Sequence, residues 1–322
     1  MKKPILEVNQ LQVSFTKDEK EITVVNGVSF VVHEGETLGI VGESGCGKSI
    51  TSLSIMRLIP SPPGRISSGQ IVYNNDDLTK LSEEEIRGVR GNEISMIFQE
   101  PMTSLNPLFT IGRQIDEIIL LHTHASRKEA KQLSIEMLKR VGISRAEQVY
   151  LSYPFELSGG MRQRVMIAIG MACQPKLLIA DEPTTALDVT IQLQILDLMK
   201  SLQANANTAI ILITHDLGVV AEMCDRVLVM YAGEMVEEAD VDDLFHDPKH
   251  PYTIGLLKSM PSITEKNNRL YSIKGQVPPA GMITRGCRFA DRCGRAFDRC
   301  WEDDPQQVVV GKNHTCRCWL YA

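Results

Sequence analysis

Residues 42–49 have the composition of a loop that binds phosphate groups, because they match the pattern G-x-x-x-x-G-K-[ST]. Glycines let backbone N–H groups turn toward phosphate oxygens, and a helix that begins after the loop adds its positive N-terminal end. We expect Lys48 to contact the β- and γ-phosphates of a nucleotide and Ser49 to ligate Mg²⁺. We expect Cys46 to fill space rather than to act as a nucleophile. The residues predicted to bind the nucleotide here are Gly42, Glu43, Ser44, Gly45, Cys46, Gly47, Lys48, Ser49 and Ile50.

Two acidic residues, Asp181 and Glu182, follow the apolar run at residues 177–180. Both would lie at the carboxyl end of a buried strand, where open α/β sheets bind ligands. Asp181 could hold the Mg²⁺ shell, and Glu182 could be the general base that polarises an attacking water. A pair of surface acids that cap a strand is the alternative. His215 follows the next apolar run and could contact both the γ-phosphate and Glu182.

Two further polar elements suit the same chemistry. The amide of Gln99, after the strand-like residues 94–98, could reach the metal and the water. Ser158, Gly159 and Gly160 stand at the start of a predicted helix, where a serine N-cap and glycine amides form a natural anion site. Residues 157–164 are thus a second phosphate-handling element in a chain that already has one.

The elements that must position these residues follow from the alternation of apolar runs and turn residues. Short strands are predicted at residues 5–8, 11–15, 22–25, 28–32 and 37–41, with turns at 26–27 and 34–36. A helix is predicted from Lys48 to residue 59, ended by Pro60 and the breaker at residues 62–64. A strand, a glycine loop and a helix therefore occur in the order that phosphate binding requires.

The middle of the chain changes its pattern twice. Residues 104–173 are mostly helical in pattern, with an interruption near residue 153. Strands are then predicted at 177–180, 209–214 and 227–230, separated by helices at 191–202 and 217–223. This rhythm indicates a parallel sheet with crossover helices, so the helical segment is an insert in an α/β core. Because regular periodicity is lost after residue 262, we predict one domain over 1–262 and a C-terminal extension over 263–322.

Composition and charge exclude several classes of protein. With 322 residues, of which 43% are hydrophobic and 23% charged, the chain can bury a proper core. The formal net charge of -6 argues against a general nucleic-acid binder. The longest apolar run, 165–173, is far shorter than the roughly 18 residues that span a bilayer. An N-terminal apolar stretch broken at Glu7 argues against a secretory signal, so we expect a cytoplasmic location.

Residues 5 to about 245 resemble a complete ATP-binding cassette, the nucleotide-binding subunit of ABC transporters. The motifs of that family occur in order: the phosphate-binding loop, Gln99, Ser158-Gly159-Gly160, Asp181 with Glu182, Ala186-Leu187-Asp188, and His215. The resemblance implies an α/β P-loop NTPase fold with a RecA-like core, an antiparallel β-subdomain and a helical subdomain at about 104–173. It also places Phe15 where an aromatic residue stacks on adenine.

The resemblance further implies an assembly. In this family two ATP molecules lie between two cassettes, and the Ser158-Gly159-Gly160 element contacts the γ-phosphate bound to the loop of the opposite subunit. Residues 186–188 would contact the dimer partner, and the segment after Gln99 would contact a membrane subunit. The implied partners are a second ABC ATPase, expected to form a heterodimer, two membrane permeases and an extracellular substrate-binding protein. The chain would be a peripheral subunit on the cytoplasmic side of the cell membrane.

Five of the eight cysteines lie between Cys287 and Cys318. Structural disulfides are not expected, because the cytosol keeps thiols reduced. Cys287, Cys293, Cys300 and Cys318 are separated by 5, 6 and 17 residues, unlike the paired C-x2-C of zinc ribbons. Thiolates that converge in a small, core-poor tail favour a metal centre. Zinc is one alternative, and unligated thiols or stray disulfides are the other.

The tail resembles the C-terminal extension of oligopeptide and dipeptide importer cassettes, some of which hold a [4Fe–4S] cluster. The resemblance selects Cys318, which follows His314, as the fourth ligand, although Cys316 or His314 could replace it. Five arginines between Arg285 and Arg299 are expected to form a solvated face of mixed charge, since nearby acids offset them.

The expected function is therefore hydrolysis of ATP to power the import of di- or oligopeptides. Import of nickel or a metallophore is the nearest alternative, because those cassettes share much of the tail. A soluble cassette protein of translation or DNA repair is the second alternative, but such proteins usually carry two cassettes or a long coiled coil, and this sequence has neither. An iron–sulfur electron carrier, the third, would leave the cassette motifs unexplained.

Overall fold

The computed structural model describes residues 2–185, 187–260 and 271–322, with the backbone alone at residues 101 and 102. The domain boundary predicted near residue 262 and Ala186 of the predicted dimer-contact segment lie outside the described residues, so the division at 262 stays a prediction. The chain forms two compact units. The helical unit comprises Met1–Ile5, His33–Glu36 and Lys80–Leu212, and the P-loop unit comprises Leu6–Val32, Thr37–Thr79 and Ile213–Ala322.

The strands and helices are given in chain order. The strands are β1 (Pro4–Lys17), β2 (Lys20–His33), β3 (Thr37–Val41), β4 (Gly64–Tyr73), β5 (Asp76–Asp77), β6 (Ile94–Ile97), β7 (Leu177–Asp181), β8 (Ala209–Ile213), β9 (Arg226–Tyr231), β10 (Glu234–Asp240), β11 (Gln307–Gly311) and β12 (His314–Arg317). The helices are α1 (Lys48–Ile55), α2 (Glu83–Val89), α3 (Pro101–Ser104), α4 (Ile111–His122), α5 (Arg127–Arg140), α6 (Ala146–Leu151), α7 (Gly159–Met171), α8 (Val189–Ala206), α9 (Leu217–Met223), α10 (Val241–His246), α11 (Pro251–Lys258) and α12 (Arg299–Glu302). Short 3-10 helices occur at Pro154–Glu156 and Ala290–Arg292.

The P-loop unit contains two groups of strands. One is an antiparallel sheet in the order β2-β1-β4-β5, and the other has the order β11-β12-β10-β9-β3. In the second group β3 and β9 are parallel. The pairs β9 with β10, β10 with β12, and β12 with β11 are antiparallel. The strand β3 that leads into the phosphate-binding loop is buried at every residue. The loop is therefore anchored to a rigid core strand.

The prediction of a turn at Asn26-Gly27 is wrong, because β2 runs through both residues. Gly27 has a φ of 66° and Gln10 on β1 has a φ of 49°. The amide group of Gln12 donates to Asn26 Oδ1 at 3.1 Å, so the two strands stay joined across the irregularity. A bulge and a tight turn both need positive φ angles, and the Asn-Gly pair alone does not distinguish them.

The helix after the phosphate-binding loop ends at Ile55, four residues earlier than predicted. Arg57 adopts a left-handed φ of 50°. The N–H of Leu58 donates to the carbonyl of Leu53 at 2.8 Å, and the N–H of Arg57 donates to the carbonyl of Ser54 at 3.0 Å. These two bonds form a Schellman motif. Because an arginine occupies the position that glycine usually takes, this helix end carries no clear sequence signal.

The helical unit contains three neighbouring strands in the order β8-β7-β6, each at an apolar run where a strand was predicted. β6 and β7 pair in parallel, with Ile94 opposite Leu177. The predicted helical segment contains α4 to α7, and α7 packs on β6. Ser134 of α5 and Tyr150 of α6 both donate to the Asp116 carboxylate of α4 at 2.5 Å, so one half-buried acid ties three helices together.

Two elements near the start of the chain have no counterpart in the sequence predictions. One is the strand β4, which pairs with β1, and the other is the helix α2. Ser82 and Glu85 form a capping box at the start of α2, a signal that the sequence does contain.

The tail has more regular structure than its sequence indicates. The hairpin of β11 and β12 joins the strand group of the P-loop unit, since Cys316 on β12 is opposite Glu237 on β10. Glu237 is buried and its Oε1 lies 2.7 Å from Nε2 of His314. The N–H groups of Lys249 and His250 bind the same carboxylate. This network fastens the tail to the segment before α11. It also engages His314, the alternative metal ligand of the sequence analysis.

In the part of the chain that the structure describes, none of the helices combines the length and the apolar character needed to cross a bilayer.

His250 is the N-cap residue of α11 and is only 1% exposed. Its Nδ1 accepts a hydrogen bond from the Tyr252 N–H at 3.1 Å, and its Nε2 is buried without a hydrogen-bond partner. Burial lowers the pKa of His250 to about 3, because a charged ring at this place would lose its hydration. The nearby Glu237 carboxylate binds the backbone N–H of His250 and not its ring.

We expect the free energy of unfolding to fall as the pH drops below about 6.5, because the unfolded chain then protonates His250 while the folded chain keeps it neutral. Between pH 7 and pH 5 this one group should remove about 2 kcal/mol. His250→Asn retains an oxygen that can accept the Tyr252 N–H but does not titrate, so its pH dependence should be weaker by that amount. Urea unfolding at both pH values measures the difference, with His124→Asn at an exposed site as the control. An equal pH dependence in wild type and His250→Asn would contradict the assignment.

Candidate nucleotide-binding site

The phosphate-binding loop joins β3 to α1 through a backbone path that requires glycine. Gly42, Gly45 and Gly47 have φ angles of 152°, 81° and 104°. Such angles are rare for residues with a side chain. A Cβ atom at Gly42 would also lie 2.2 Å from the carbonyl oxygen of Met230 on β9. The loop therefore packs directly against the backbone of a core strand.

Lys48 is buried at the start of α1, where its Nζ donates to the carbonyl oxygens of Gly42 at 2.7 Å and Glu43 at 3.2 Å. These bonds fold the lysine side chain back over the loop. The N-cap residue of α1 is Gly47, which has no side chain to cap the helix. A helix start without a side-chain cap is well suited to an anion. Ser49 and Ile50 follow on the first turn and are half-buried.

Cys46 has the surroundings of a packing residue. Its side chain is fully buried, and burial raises the pKa of its thiol. The Sγ atom lies 3.7 Å from the Lys48 Nζ. A thiol that stays protonated is a weak nucleophile.

The surroundings of Glu43 were not foreseen from the sequence. The Glu43 N–H donates to the Tyr252 hydroxyl at 2.8 Å. The Glu43 carboxylate receives two bonds from Arg292, Nη1 to Oε2 at 2.5 Å and Nη2 to Oε1 at 3.0 Å. Arg292 is thus buried in an ion pair, and Arg288 pairs with Glu234, so the expectation of a solvated arginine face is wrong for these two residues. Glu43 and Arg292 are 249 residues apart, and no local pattern links them.

In the helical unit, the paired acids lie where they were predicted, at the carboxyl end of β7. Asp181 is the buried last residue of the strand. Glu182 has a φ of 49°, an unusual conformation for a residue with a side chain and one that often marks functional sites. Its Oε2 accepts hydrogen bonds from Gln99 Nε2 at 3.0 Å and from Thr185 Oγ1 at 2.8 Å. The structure thus brings Gln99 to Glu182, and it adds Thr185, which sequence reasoning had missed.

His215 follows β8 and is exposed. It lines a cavity of about 330 Å³ together with Gly42 and Glu43. The remaining lining residues are Val41, Asp216, Leu217, Leu256, Ser259 and Met260. The next residue, Asp216, caps α9 by accepting from the Gly218 N–H at 2.8 Å, which fixes the backbone beside the histidine. His215 and the first residues of the loop therefore face one space, while its contact with Glu182 stays a prediction.

Ser158 is the N-cap residue of α7, as predicted, and its Oγ accepts from the Met161 N–H at 3.4 Å. Ser158 and Gly159 are exposed, and a Cβ atom at Gly159 would meet no atom within 4 Å. Gly160 faces α8, where a Cβ would lie 3.1 Å from the Ile191 side chain. This helix start has both the N–H groups and the open surface that an incoming anion needs.

Phe15 is half-buried on β1 opposite Gly64 of β4. A Cβ atom at Gly64 would lie 2.7 Å from the ring, so this glycine makes room for the aromatic side chain. The predicted Mg²⁺ ligands are distributed over both units, with Ser49 in the P-loop unit and Gln99 and Asp181 in the helical unit. Their hydroxyl, amide and carboxylate oxygens are the ligand types that suit Mg²⁺.

All eight cysteines are free thiols. The thiols of Cys287, Cys293, Cys300 and Cys318 lie near enough to interact electrostatically, and burial is the main cause that raises the pKa of Cys287 to about 12. Cys316 donates a hydrogen bond to Cys318, which lowers the pKa of Cys318. Among the described residues, no group of three or more His, Cys, Asp or Glu side chains is arranged to hold a metal ion.

Comparison with known proteins identifies the family. Residues 25–185 match the family described as ABC transporter, and residues 236–300 match the oligopeptide/dipeptide transporter, C-terminal region. The chain is 56% identical to the oligopeptide transport ATP-binding protein AppD of Bacillus subtilis (strain 168), over 98% of this chain and 97% of AppD. The chain belongs to the ATP-binding proteins of the oligopeptide and dipeptide ABC transporter family.

Other members of this ABC family are nearly as similar. The oligopeptide transport ATP-binding protein OppD of B. subtilis is 51% identical over 98% of this chain and 88% of OppD. The dipeptide transport ATP-binding protein DppD of the same organism is 49% identical over 98% of this chain and 94% of DppD. Among solved structures, the ATP-binding cassette MJ0796, in a dimeric post-hydrolysis state bound to ADP and Pi, has a TM-score of 0.66 and 26% identity over 73% of this chain and 98% of MJ0796. The predicted cassette fold with its antiparallel β-subdomain is confirmed, and the core sheet is mixed rather than parallel.

Replacing Gly42 with alanine should weaken ATP binding by about tenfold or more, because a Cβ atom 2.2 Å from the Met230 carbonyl forces the loop away from β9. Equilibrium binding of a fluorescent ATP analogue measures the effect. Gly88→Ala is the matched control, since a Cβ there meets no atom within 4 Å and alanine favours the helix α2. A folded Gly42→Ala variant with wild-type affinity would show that the loop tolerates a side chain at this position.

Proposed function

We propose that this chain hydrolyses ATP to power the import of di- or oligopeptides through a membrane transporter. The observation that carries the proposal is the presence, in one chain, of a phosphate-binding loop, of a Glu182 carboxylate oriented by two hydrogen-bond donors, and of full-length similarity to proteins named for oligopeptide and dipeptide transport. The similarity includes residues 236–300, which match the C-terminal region of oligopeptide/dipeptide transporters.

The nucleotide phosphates bind to the N–H groups of the loop and to the start of α1, through residues 42–50. Lys48, which bonds two loop carbonyls in this structure, turns its Nζ to the β- and γ-phosphate oxygens. A magnesium ion bound by Ser49, Asp181 and Gln99 would neutralise charge that develops between the β- and γ-phosphates. Phe15 stacks on the adenine ring. Together these contacts hold the γ-phosphate in place for attack by water.

Glu182 is the general base in this proposal. It accepts a proton from the attacking water as the new P–O bond forms and the bond from the γ-phosphorus to the ADP oxygen breaks. Gln99 Nε2 and Thr185 Oγ1 both donate to the same carboxylate oxygen, so the plane of the carboxylate is fixed before the substrate binds. His215 contacts the γ-phosphate and stabilises its charge.

The Ser158-Gly159-Gly160 element acts on the ATP of a second cassette. Its exposed helix start fits a γ-phosphate that another polypeptide delivers, as in the family. We propose a heterodimer with a second ABC ATPase, two permease subunits that dock near residues 100–107, and an extracellular substrate-binding protein. The chain is then a peripheral subunit on the cytoplasmic side of the cell membrane. ATP binding closes the dimer, and hydrolysis reopens it.

Two other functions remain to be separated from peptide import by experiment. Import of nickel or a metallophore would use the same chemistry with a different permease. A protein with a non-transport role on nucleic acid would copurify with ribosomes or DNA instead of membrane proteins. The net charge of -6 disfavours such a role.

For the tail, the [4Fe–4S] cluster on Cys287, Cys293, Cys300 and Cys318 stays a prediction. Soft thiolate ligands suit such a cluster, and the Cys287 thiol interacts electrostatically with the other three. As placed, however, they do not form a complete ligand set. We therefore assign no step of ATP hydrolysis to a metal in the tail.

Glu182→Gln should reduce the turnover of ATP by at least about 100-fold, because an amide cannot accept the proton of the attacking water. ATP binding should be retained, since the side-chain shape is unchanged. Phosphate release by the assembled transporter and equilibrium binding of ATP measure the two properties. Glu84→Gln on the exposed start of α2 is the control. Near-normal turnover in Glu182→Gln would exclude this residue as the base.

Anaerobic purification followed by iron, sulfide and zinc analysis tests the tail. A [4Fe–4S] cluster predicts about four iron and four sulfide per chain, and Cys318→Ser should lower both, whereas Cys46→Ser should not. Zinc without iron would favour the alternative metal. A colourless protein without iron or zinc would show that the cysteines act as thiols.

A further inference from the structure

Glu43 introduces a problem for the phosphate-binding loop. It is the second residue of the loop, next to Gly42, and its side chain is 32% exposed. A carboxylate here adds a negative charge beside the place that a triphosphate must occupy. Because like charges repel strongly at short distances in a partly buried site, an uncompensated Glu43 would weaken nucleotide binding.

The tail supplies the compensation. Arg292 donates hydrogen bonds to the Glu43 carboxylate from both terminal nitrogens, at 2.5 and 3.0 Å. The Arg292 side chain is only 4% exposed. Bidentate pairs of this kind fix orientation as well as charge. The hydrogen bond to Glu43 is also the main cause that raises the pKa of Arg292 above its usual value.

Arg292 is held in place independently of Glu43. Its Nε donates to the Lys274 carbonyl at 2.8 Å, and its Nη1 lies 3.3 Å from the Tyr231 hydroxyl. Its guanidinium lies 5.7 and 5.9 Å from the ring centroids of Tyr231 and Phe289. The positive charge is therefore positioned before nucleotide arrives, and little side-chain freedom is left to lose.

The loop backbone is held by the same aromatic residues that surround Arg292. Tyr252, whose hydroxyl accepts the Glu43 N–H, packs against Tyr231 and Phe289 with ring centroids 4.6 and 5.3 Å apart. The backbone and the side chain of Glu43 are thus both tied to one group of residues that includes the tail.

We propose that Arg292 of the C-terminal tail is a positioning residue of the nucleotide site, which neutralises and orients Glu43 so that the loop can accept the ATP phosphates. The inference rests on the proposed binding of ATP by residues 42–50. It makes the tail a part of the nucleotide site and explains why a Cys-rich extension is packed against a cassette loop.

Arg288 provides a matched comparison. It lies four residues before Arg292 in the same tail and pairs with a buried acid, Glu234 on β10, at 3.0 Å. Its side chain is 14% exposed. Glu234 lies outside the loop, so the loss of Arg288 removes a tail ion pair without changing the charge of the loop.

The test measures the affinity of the full-length chain for ATP, in a Glu182→Gln background that prevents turnover. Arg292→Ala should weaken binding by about tenfold, within the range usual for coupling between sites, and Arg292→Lys by less. Glu43→Gln added to Arg292→Ala should restore most of the affinity, because it removes the uncompensated charge. Arg288→Ala should change the affinity by less than about twofold.

A second measurement separates positioning from catalysis. With Glu182 intact, Arg292→Ala should raise the KM for ATP and leave kcat within about twofold, because the loop binds phosphates in both ground and transition states. Thermal unfolding checks that each variant folds, and Arg292→Gln replaces Arg292→Ala if the latter does not.

Three results would overturn the inference: wild-type affinity in Arg292→Ala, an equal loss in Arg288→Ala, or no recovery with Glu43→Gln. The last two would mean that Arg292 serves the stability of the tail alone. A wild-type chain that binds no ATP would instead contradict the proposed function itself, so the two failures are distinguishable.

Discussion

Binding of a triphosphate requires that backbone N–H groups and positive charge be concentrated in one short loop, and the P-loop unit is built around that requirement. The loop leaves the fully buried strand β3 and passes so close to β9 that Gly42 has no room for a Cβ atom beside the Met230 carbonyl. Lys48 then folds back onto the loop carbonyls. Because the loop rests on core strands, its N–H groups keep their direction without a bound ligand, which reduces the entropy cost of binding.

Charge balance is the second constraint, and it joins the tail to the cassette. The tail adds the hairpin of β11 and β12 to β10, and it carries Arg292 to the Glu43 carboxylate. The buried Glu237, bonded to His314, fastens the same region. Within the P-loop unit, the C-terminal residues therefore act as a structural part of the phosphate-binding loop, although their sequence differs from that of the cassette.

The helical unit orients a carboxylate by a different means. Glu182 stands just beyond a buried strand in a left-handed conformation, and two donors bind a single oxygen of its carboxylate. Strain of this kind persists only where the surroundings fix it. The α7 start, with its serine cap and open glycine, is exposed, as expected of a surface that serves a second polypeptide.

The sequence by itself determined the family, the phosphate-binding loop, the strand–helix order of the core and the places of Gln99, Glu182 and Ser158, because each depends on short patterns whose physics is local. It misplaced the turn at Asn26-Gly27 and the end of α1 at Arg57, since positive φ angles occur in turns, bulges and helix ends alike. It missed β4, the tail hairpin and the buried state of Arg292. Tertiary structure alone decided these, because strand pairing and ion pairing between residues as far apart as Glu43 and Arg292 leave no periodic signal in the chain.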